Sequence, residues 1–245
     1  MNNGKRALVT GSSRGIGRAI AIQLAADGYE VIVHAAGNIA KAEETKAEIE
    51  RVGGKAVTEL ADLRDITATR ALAERVGNID VLVLNASLQY RTHWDEITPE
   101  ACYEQLNCNF VSSLILIQNC VADMKNKKWG RIITIGSVQE AKPHPDMLVY
   151  SASKATQTNM MRSLSLQLAG YGITVNNVAP GVIYTDRNIE ALSDPVYAKK
   201  VTDSIPAGFY GKPEDCAGMV SLLCSEQGRY ITGQSIYIDG GKSVQ

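Results

Sequence analysis

Long hydrophobic stretches and blocks of like charge are both absent from this chain of 245 residues. The most apolar runs, such as residues 114–117, are far shorter than the roughly 20 residues that a membrane-spanning helix needs. Residues 1–6 lead directly into a strand-like run and carry no apolar core of a signal peptide. The 25 basic residues balance 26 acidic ones without forming a basic run. We therefore expect a cytoplasmic protein with neither a membrane nor a nucleic acid as partner.

Cysteine patterns that hold metals or form disulfide frameworks are also missing. The five cysteines include no Cys-x-x-Cys pair, and no histidine lies near them at the spacing of metal ligands. We expect reduced, buried thiols and no metal site. Linkers, internal repeats and low-complexity tracts are absent too, so we expect one domain over residues 1–245.

What the chain does contain is a regular alternation of short apolar runs and helical patterns. Strands are predicted at residues 7–10, 30–35, 55–60, 79–84, 131–135, 173–178 and 235–238. Helices are predicted after the glycine-rich turn at 11–17, and at 39–52, 66–76 (capped by Asp65), 99–127, about 150–169 and 213–225. Residues 184–209 have few such signals and are expected to form a mobile lid. The pattern predicts an α/β protein, a single-domain Rossmann fold with a seven-stranded, parallel, doubly wound sheet.

The turn after the first strand has the glycine spacing of an anion site. It reads Gly11-Ser12-Ser13-Arg14-Gly15-Ile16-Gly17 and leads into a helix. Backbone N–H groups at a helix start point at a phosphate, and glycine permits the close approach of a ligand. The spacing is Gly-x-x-x-Gly-x-Gly, which differs from the commoner Gly-x-Gly-x-x-Gly dinucleotide pattern.

A tyrosine and a lysine one helical turn apart are the candidate chemical centre. Tyr150 and Lys154 share one face of a predicted helix, and Ser137 follows the apolar run at 132–135. A neighbouring ammonium favours the phenolate and lowers the pKa of the phenol. A phenol tuned in this way can exchange a proton with an alcohol or an alkoxide, while the Ser137 hydroxyl binds the same oxygen.

Taken together, these motifs resemble the short-chain dehydrogenase/reductase family along essentially the whole chain. The matching residues are Thr10, the glycine-rich turn 11–17, Asp62, Asn85-Ala86, Asn109, Ser137, Tyr150-x-x-x-Lys154, Pro180-Gly181 and Thr185. The resemblance implies that Tyr150 is the general acid/base, that Ser137 polarises the substrate oxygen, and that Lys154 holds the nicotinamide ribose. It also implies that Asn109 holds a water on a proton path to Lys154. Asn107 is the rival for that role, but Asn109 has the family spacing, 21 residues before Gly130.

The resemblance further implies a nicotinamide dinucleotide as cofactor, with Asp62 contacting the adenine. The implied cofactor-binding residues are Gly11, Ser13, Arg14, Gly15, Ile16, Gly17, Asp62, Leu63, Asn85, Ala86, Tyr150, Lys154, Pro180, Gly181, Ile183 and Thr185. Ala35 stands where an acidic residue would select NAD, and Arg14 can pair with a 2′-phosphate. NADP(H) is therefore favoured, with NAD(H) as the alternative. Ser87 departs from the family's usual glycine, which bears on local cofactor geometry.

Two subgroups of the family fit equally at first sight, namely 3-oxoacyl-[acyl-carrier-protein] reductases and sugar or polyol dehydrogenases. Lys127 and Lys128 suit carrier docking ahead of the fifth strand, but residues 170–172 ahead of the sixth include no basic side chain. Polar loops at 89–94 and 139–146, with His93 and His144 as contact candidates, favour a small hydroxylated substrate. The carrier-protein reductase is the alternative. A dehydratase or epimerase of the same fold, and a non-catalytic redox sensor that binds dinucleotide, are the remaining rivals.

Small residues on the Tyr150 helix favour self-association. The family pairs its subunits through this helix and the one before strand five. Ser151, Ala152, Ser153, Ala155 and Ser163 permit close packing of helices. We expect a homotetramer, with a dimer as the fallback.

Overall fold

The computed structural model describes residues 4–245, apart from the side chain of Ala191. Residues 1–3, part of the segment in which no signal peptide was expected, lie outside the described residues.

The centre of the molecule is one sheet of seven parallel strands in the order β3-β2-β1-β4-β5-β6-β7. The strands are β1 (Arg6–Val9), β2 (Glu30–Ala35), β3 (Lys55–Leu60), β4 (Val81–Leu84), β5 (Gly130–Ile135), β6 (Ile173–Pro180) and β7 (Ser235–Ile238). The prediction of a seven-stranded, parallel, doubly wound sheet is therefore confirmed. β6 extends two residues beyond its predicted end, which places Pro180 inside the strand.

Helices cover both faces of the sheet. They are α1 (Gly15–Ala26), α2 (Ile39–Arg51), α3 (Ile66–Val76), α4 (Pro99–Leu106), α5 (Ser112–Lys127), α6 (Leu148–Leu168), α7 (Asp186–Leu192), α8 (Pro195–Asp203) and α9 (Pro213–Cys224). Asp65 caps α3 as predicted, since its carboxylate accepts from the backbone N–H groups of Thr67 and Ala68.

Alternating side chains of the central strands feed two separate cores. Val31 and Val33 pack with α1, α2 and α9, whereas Ile32, between them, packs with α3, α5 and α6. Because both faces are buried, these strands read as continuous apolar runs and not as an alternating pattern. Within the described part of the chain, no helix is both long and apolar enough to span a bilayer.

Two sequence-based predictions of local structure were wrong. The helix expected over 99–127 is interrupted by a π-helical turn at Asn107–Val111, between α4 and α5. Residues 184–209, for which few element signals were found and no helix was predicted, contain α7 and α8. α8 begins with Asp194, which accepts from the N–H of Val196, followed by Pro195 in the first turn, so its start signal was present in the sequence.

Strand order reverses between β1 and β4, whose neighbours lie on opposite sides. The loops that leave these two strands at their carboxyl ends therefore diverge and open a crevice. The glycine-rich turn follows β1, and Asn85-Ala86-Ser87 follows β4. The topology thus brings the two motifs together at one edge of the sheet.

Candidate active site

A cleft of about 1180 Å³ runs along the carboxyl edge of the sheet. Every catalytic and cofactor-binding residue proposed from the sequence lines it except Asn109, which is buried. His144 also lines the cleft, whereas His93, the other candidate for substrate contact, is exposed and outside it. The motifs that the chain distributes over residues 11–187 are thereby collected in one place.

The glycine-rich turn presents backbone donors to the cleft. α1 begins after Arg14, whose side chain makes no capping hydrogen bond, and its first turn contains no acidic residue. The N–H groups of a helix start that lacks a side-chain cap are available to an anion, and the helix dipole favours one there. These donors fit the diphosphate of a dinucleotide.

Glycine is required in this turn because the chain approaches itself closely. A Cβ on Gly17 would lie 2.4 Å from both the Asn85 amide nitrogen and the Gly11 carbonyl oxygen. A Cβ on Gly11 would lie 3.0 Å from the Ala86 Cα, and Gly11 has a positive φ of 64°. The turn after β1 is thus packed directly against the loop after β4.

Polar contacts fasten these two loops to each other. The Thr10 hydroxyl accepts from the N–H groups of Asn85 and Ala86 at 2.9 and 3.0 Å. The Asn85 side chain donates to the carbonyls of Thr10 and Gly11 at 2.9 and 3.0 Å. The amide donors of Asn85 are therefore engaged in shaping the glycine-rich turn.

His34, at the end of β2, is a support that the sequence analysis missed. Its Nδ1 accepts from the Gly11 N–H at 3.0 Å, and its Nε2 lies 3.0 Å from the Ala61 carbonyl oxygen. Burial lowers the pKa of His34 to about 4, so the ring is neutral at physiological pH. A neutral ring that accepts at Nδ1 carries its proton on Nε2, which matches both contacts.

At the far end of the cleft, no acidic side chain is present at the end of β2. Ala35 and Ala36 line the wall together with Arg14. Asp62 also lines it, but its carboxylate accepts a bidentate bond from Arg64, with contacts of 2.6 to 3.1 Å. That guanidinium lowers the pKa of Asp62, which therefore remains a carboxylate.

Ser137 and Tyr150 meet in the middle of the cleft. Ser137 follows β5, and its hydroxyl accepts from the Gln139 N–H at 3.2 Å at the start of a short 3₁₀ turn. Burial raises the pKa of Tyr150, while the charge of Arg187 and the nearby Ser137 hydroxyl lower it. The pKa of Tyr150 is therefore raised, contrary to the expectation from the sequence, because burial outweighs the effect of Arg187.

Lys154 is fully buried one turn further along α6. Its ammonium donates to the Ile135 carbonyl at 2.7 Å and to the Gln157 side chain at 3.1 Å, and lies 5.7 Å from the Tyr150 ring centroid. Burial, followed by the charge of Arg187, lowers the pKa of Lys154 to about 7. The chain of bonds continues, since Gln157 donates to Ser113 at 3.1 Å and Ser113 donates to the Asn109 carbonyl at 3.2 Å.

Asn109 and its rival Asn107 have different environments. Asn109 is buried in the π-helical turn, where its side chain binds the backbone N–H and C=O of Leu88 at 2.7 and 2.9 Å and donates to Ser153. Asn107 instead donates to the Arg64 carbonyl at 3.3 Å. Of the two, only Asn109 is connected to Lys154 through Ser113 and Gln157.

Arg187, in the first turn of α7, is the second residue that the sequence analysis missed. It donates to the Ser87 carbonyl at 3.0 Å and to the Ser87 hydroxyl at 3.4 Å, and its charge lowers the pKa of Tyr150. The serine that departs from the usual family glycine is therefore a partner of this arginine. The missed signal was the basic residue two positions after the Thr185 motif.

Known proteins that are similar in sequence belong to the family that these site residues indicate. Residues 5–195 match the short chain dehydrogenase family. A 3-oxoacyl-[acyl-carrier-protein] reductase of Staphylococcus aureus is 37% identical over 249 residues, covering 97% of each chain. The chain belongs to the short-chain dehydrogenase family, and it is an oxidoreductase acting on carbonyl and alcohol groups.

Solved structures resemble the chain over almost its full length. A 3-oxoacyl (acyl-carrier-protein) reductase from Agrobacterium tumefaciens with NADP bound has a TM-score of 0.93 and 35% identity, covering 97% of this chain and 94% of that one. A putative NAD(P)-dependent gluconate 5-dehydrogenase from Beutenbergia cavernae with bound NADP has a TM-score of 0.94 and 32% identity, covering 99% and 98%. Both substrate subgroups considered from the sequence are thus represented among the similar proteins.

Proposed function

We propose that this protein is an NADP(H)-dependent reductase/dehydrogenase that interconverts a carbonyl and a secondary alcohol on a small polar substrate. The preference for NADP(H) over NAD(H) rests on Arg14 and on the alanines at 35 and 36, where a carboxylate would repel a 2′-phosphate. The two similar structures named above, both of which contain NADP, support the same choice.

The dinucleotide would be held by the glycine-rich turn and by the surrounding cleft residues. Its diphosphate would face the N–H groups that begin α1. Asp62 and Leu63 would line the adenine site, and the loops at Asn85-Ala86 and at residues 180–185 would line the remainder. When bound, the nicotinamide supplies or accepts the hydride.

Tyr150 would donate the proton in the reductive direction. Tyr150 and Ser137 line the same cleft, so one substrate oxygen would contact both hydroxyls. Their two hydroxyls would stabilise the negative charge that develops on that oxygen. The raised pKa of Tyr150 keeps the phenol protonated at neutral pH, which is the form that reduction requires.

Lys154 would hold the ribose hydroxyls and maintain a positive charge behind the reacting centre. The hydrogen bonds through Gln157 and Ser113 to the Asn109 carbonyl connect this buried ammonium to the π-helical turn. We assign Asn109 the role of supporting the proton path at Lys154, in preference to Asn107.

The proposal of a sugar- or polyol-like substrate rests on the polar side chains at the substrate end of the cleft. Arg91, Gln139, Lys142, His144 and Arg187 surround the mouth of the cleft beyond Tyr150. These side chains can hydrogen-bond a hydroxylated substrate, whereas covering them with an acyl chain would bury polar groups without hydrogen bonds, which is costly.

A 3-oxoacyl-[acyl-carrier-protein] reductase is the second candidate, favoured by the identity to the Staphylococcus aureus enzyme. Carrier docking requires free basic side chains. However, the Lys127 ammonium contacts Asp80 at 2.8 Å and Asp123 at 2.7 Å. Its charge is therefore largely neutralised within the protein.

Turnover of a substrate panel separates these candidates. NADPH and NADH are each supplied with keto-sugars, diketones and acetoacetyl thioesters, and consumption of the reduced cofactor is measured. We expect turnover of keto-sugars with NADPH. Turnover confined to the thioester would instead establish the second candidate, and a preference for NADH would contradict the role of Arg14.

We further propose that residues 1–245 form one catalytic domain, that the protein is a cytoplasmic homotetramer, and that a dimer is the alternative assembly. The five cysteines, all unpaired thiols, support a reducing compartment. Ala152, Ala155 and Ser163 lie on the exposed face of α6 and support helix pairing there. Ser151 and Ser153, which were also expected to permit helix packing, are buried within the subunit and do not lie on this exposed face.

A further inference from the structure

The geometry at α7 points to a substrate that carries a carboxylate: we propose that Arg187 binds this carboxylate while the neighbouring carbonyl or alcohol faces Tyr150. This inference rests on the proposed function and narrows its substrate class to oxo acids and hydroxy acids. It makes Arg187 a residue that determines specificity.

Position is the first argument. Arg187 reaches from α7 across the cleft to Ser87, and it lines the cleft together with Tyr150, whose pKa its charge lowers. A planar guanidinium has five donors and can hold a carboxylate through two parallel bonds. A group held there would place the next carbons of the substrate beside Tyr150 and Ser137.

The charge of Arg187 is the second argument. Among the described residues, its hydrogen-bond partners are neutral, and no carboxylate lies within ion-pairing distance of it. The adjacent Asp186 extends toward Lys41 instead, at 3.9 Å. Asp186 and Glu190 line the same cleft, but four basic residues do so at this end, namely Arg91, Lys142, Arg187 and Lys242, and Lys142 donates to the Gln245 backbone oxygen at 2.8 Å.

Repulsion between cations is the third argument. Lys154 is buried close enough for the Arg187 charge to lower its pKa, after the larger effect of burial. Two cations at one site destabilise each other unless an anion lies between them. A substrate carboxylate would remove this cost and would be bound more tightly for that reason.

The cofactor phosphates are less suitable partners of Arg187. Thr185 is the residue of this segment that lies against the glycine-rich turn, where a Cβ on Gly15 would be 3.4 Å from its methyl group. Arg187 contacts Ser87 instead, and its charge acts on Tyr150. Thr185 therefore lies on the diphosphate side and Arg187 on the substrate side.

Binding of a simple anion tests the inference without turnover. The protein is saturated with NADP⁺, which fills the diphosphate site, and thermal shift is measured with malonate and with neutral glycerol. We expect malonate to raise the melting temperature of the wild type and of Arg70→Met, an exposed arginine outside the cleft lining. Arg187→Met should lose the malonate shift. Equal shifts in wild type and Arg187→Met, or no shift in the wild type, would overturn the proposal.

Kinetics with matched substrates provide the second readout. Acetoacetate and levulinate are compared with their methyl esters, which keep the ketone and remove the charge. Loss of a charged hydrogen-bond pair corresponds to about 10- to 100-fold in kcat/KM for the acid. We expect Arg187→Met to lose this factor in the ratio of kcat/KM for each acid to that for its ester, and to leave the KM for NADPH unaltered.

The two proposals fail in different ways. Turnover of ketones without any preference for acids, or an equal loss for acids and esters in Arg187→Met, overturns the inference and leaves the proposed function intact. Malonate binding that depends on Arg187, with no reduction of any ketone, contradicts the proposed function alone.

Discussion

At the scale of single residues, Lys154 is a functional residue whose burial lowers the stability of the fold. Its ammonium is fully buried without a carboxylate partner among its described contacts, which are the Ile135 carbonyl and the Gln157 side chain. A buried cation of this kind loses hydration that neutral acceptors only partly replace. This loss of hydration disfavours the charged form, which is why the pKa of Lys154 is lowered to about 7.

We expect Lys154→Met to stabilise the protein while abolishing turnover. The unfolded lysine binds a proton below its ordinary pKa of 10.5, whereas the folded one does so only below about 7. The wild type therefore loses stability as pH falls from about 10.5 to about 7. At pH 7 the variant should be more stable by about 1–2 kcal/mol, since the lost hydrogen bonds offset part of the gain.

Urea unfolding at pH 7 and pH 10 measures this difference. Lys199→Met, which removes an exposed lysine paired with Asp203, serves as the control and should change the free energy of unfolding by less than about 0.5 kcal/mol. A Lys154→Met variant less stable than the wild type at pH 7 would show that the ammonium contributes net stability.

Some residues of the site could be predicted from the sequence and others could not. Ser137, Tyr150 and Lys154 belong to a spaced motif, and the glycines report a turn that only glycine can form, so pattern alone finds them. Arg187, Gln157 and His34 act through contacts with partners distant in the chain, such as Ser87, Ser113 and Gly11. Such pairs are created by the fold and have no local spacing that would reveal them.

At the scale of elements, the glycine-rich turn keeps its shape because strand β2 and the loop after β4 both hold it. His34 supports it from β2, and Thr10 and Asn85 fasten it to the loop after β4. Packing of this density leaves no room for a methyl group at Gly17, where a Cβ would lie 2.4 Å from two atoms.

Gly17→Ala should therefore displace the turn, cost about 1–3 kcal/mol of stability and weaken NADPH binding. Gly218→Ala is the matched control, because Gly218 lies inside α9 with nothing within 4 Å of a Cβ. That change should stabilise the helix by about 0.5–1 kcal/mol and leave cofactor affinity unaltered. Thermal unfolding and NADPH fluorescence titration give both quantities, and wild-type affinity in Gly17→Ala would refute the account of this turn.

Elements differ in predictability for a physical reason. β2, β3 and β7 begin and end as predicted because their apolar runs are bounded by polar residues or glycine. The π-helical turn at Asn107–Val111 was not predictable, since the helical period continues through it and tertiary contacts of Asn109 create it. α7 and α8 are too short to be stable alone, so packing within the fold decides whether they form.

At the scale of the whole molecule, an unpartnered apolar side chain stands on α6. Leu166 is 86% exposed and shares the outer face of the helix with Ala152, Ala155 and Ser163. In the proposed assembly this face packs against a second subunit, which would bury the leucine.

We expect Leu166→Glu to shift the protein from a tetramer to a smaller species, because a carboxylate at a subunit contact would lose its hydration. Val52→Glu replaces another exposed apolar residue, 61% exposed after α2, and should keep the wild-type mass. Light scattering after size-exclusion chromatography measures both masses. An unchanged tetramer in Leu166→Glu would place the interface elsewhere.

The most direct test of the account compares Tyr150→Phe with the wild type in NADPH turnover and in NADPH binding. Removing the one hydroxyl that can protonate the substrate oxygen should lower kcat by about 10²- to 10⁴-fold, with the dissociation constant for NADPH nearly unchanged. Tyr230→Phe, at a side chain that is 97% exposed, should retain full activity. Wild-type turnover in Tyr150→Phe would contradict the assignment of Tyr150 as the general acid/base, and with it the proposed mechanism.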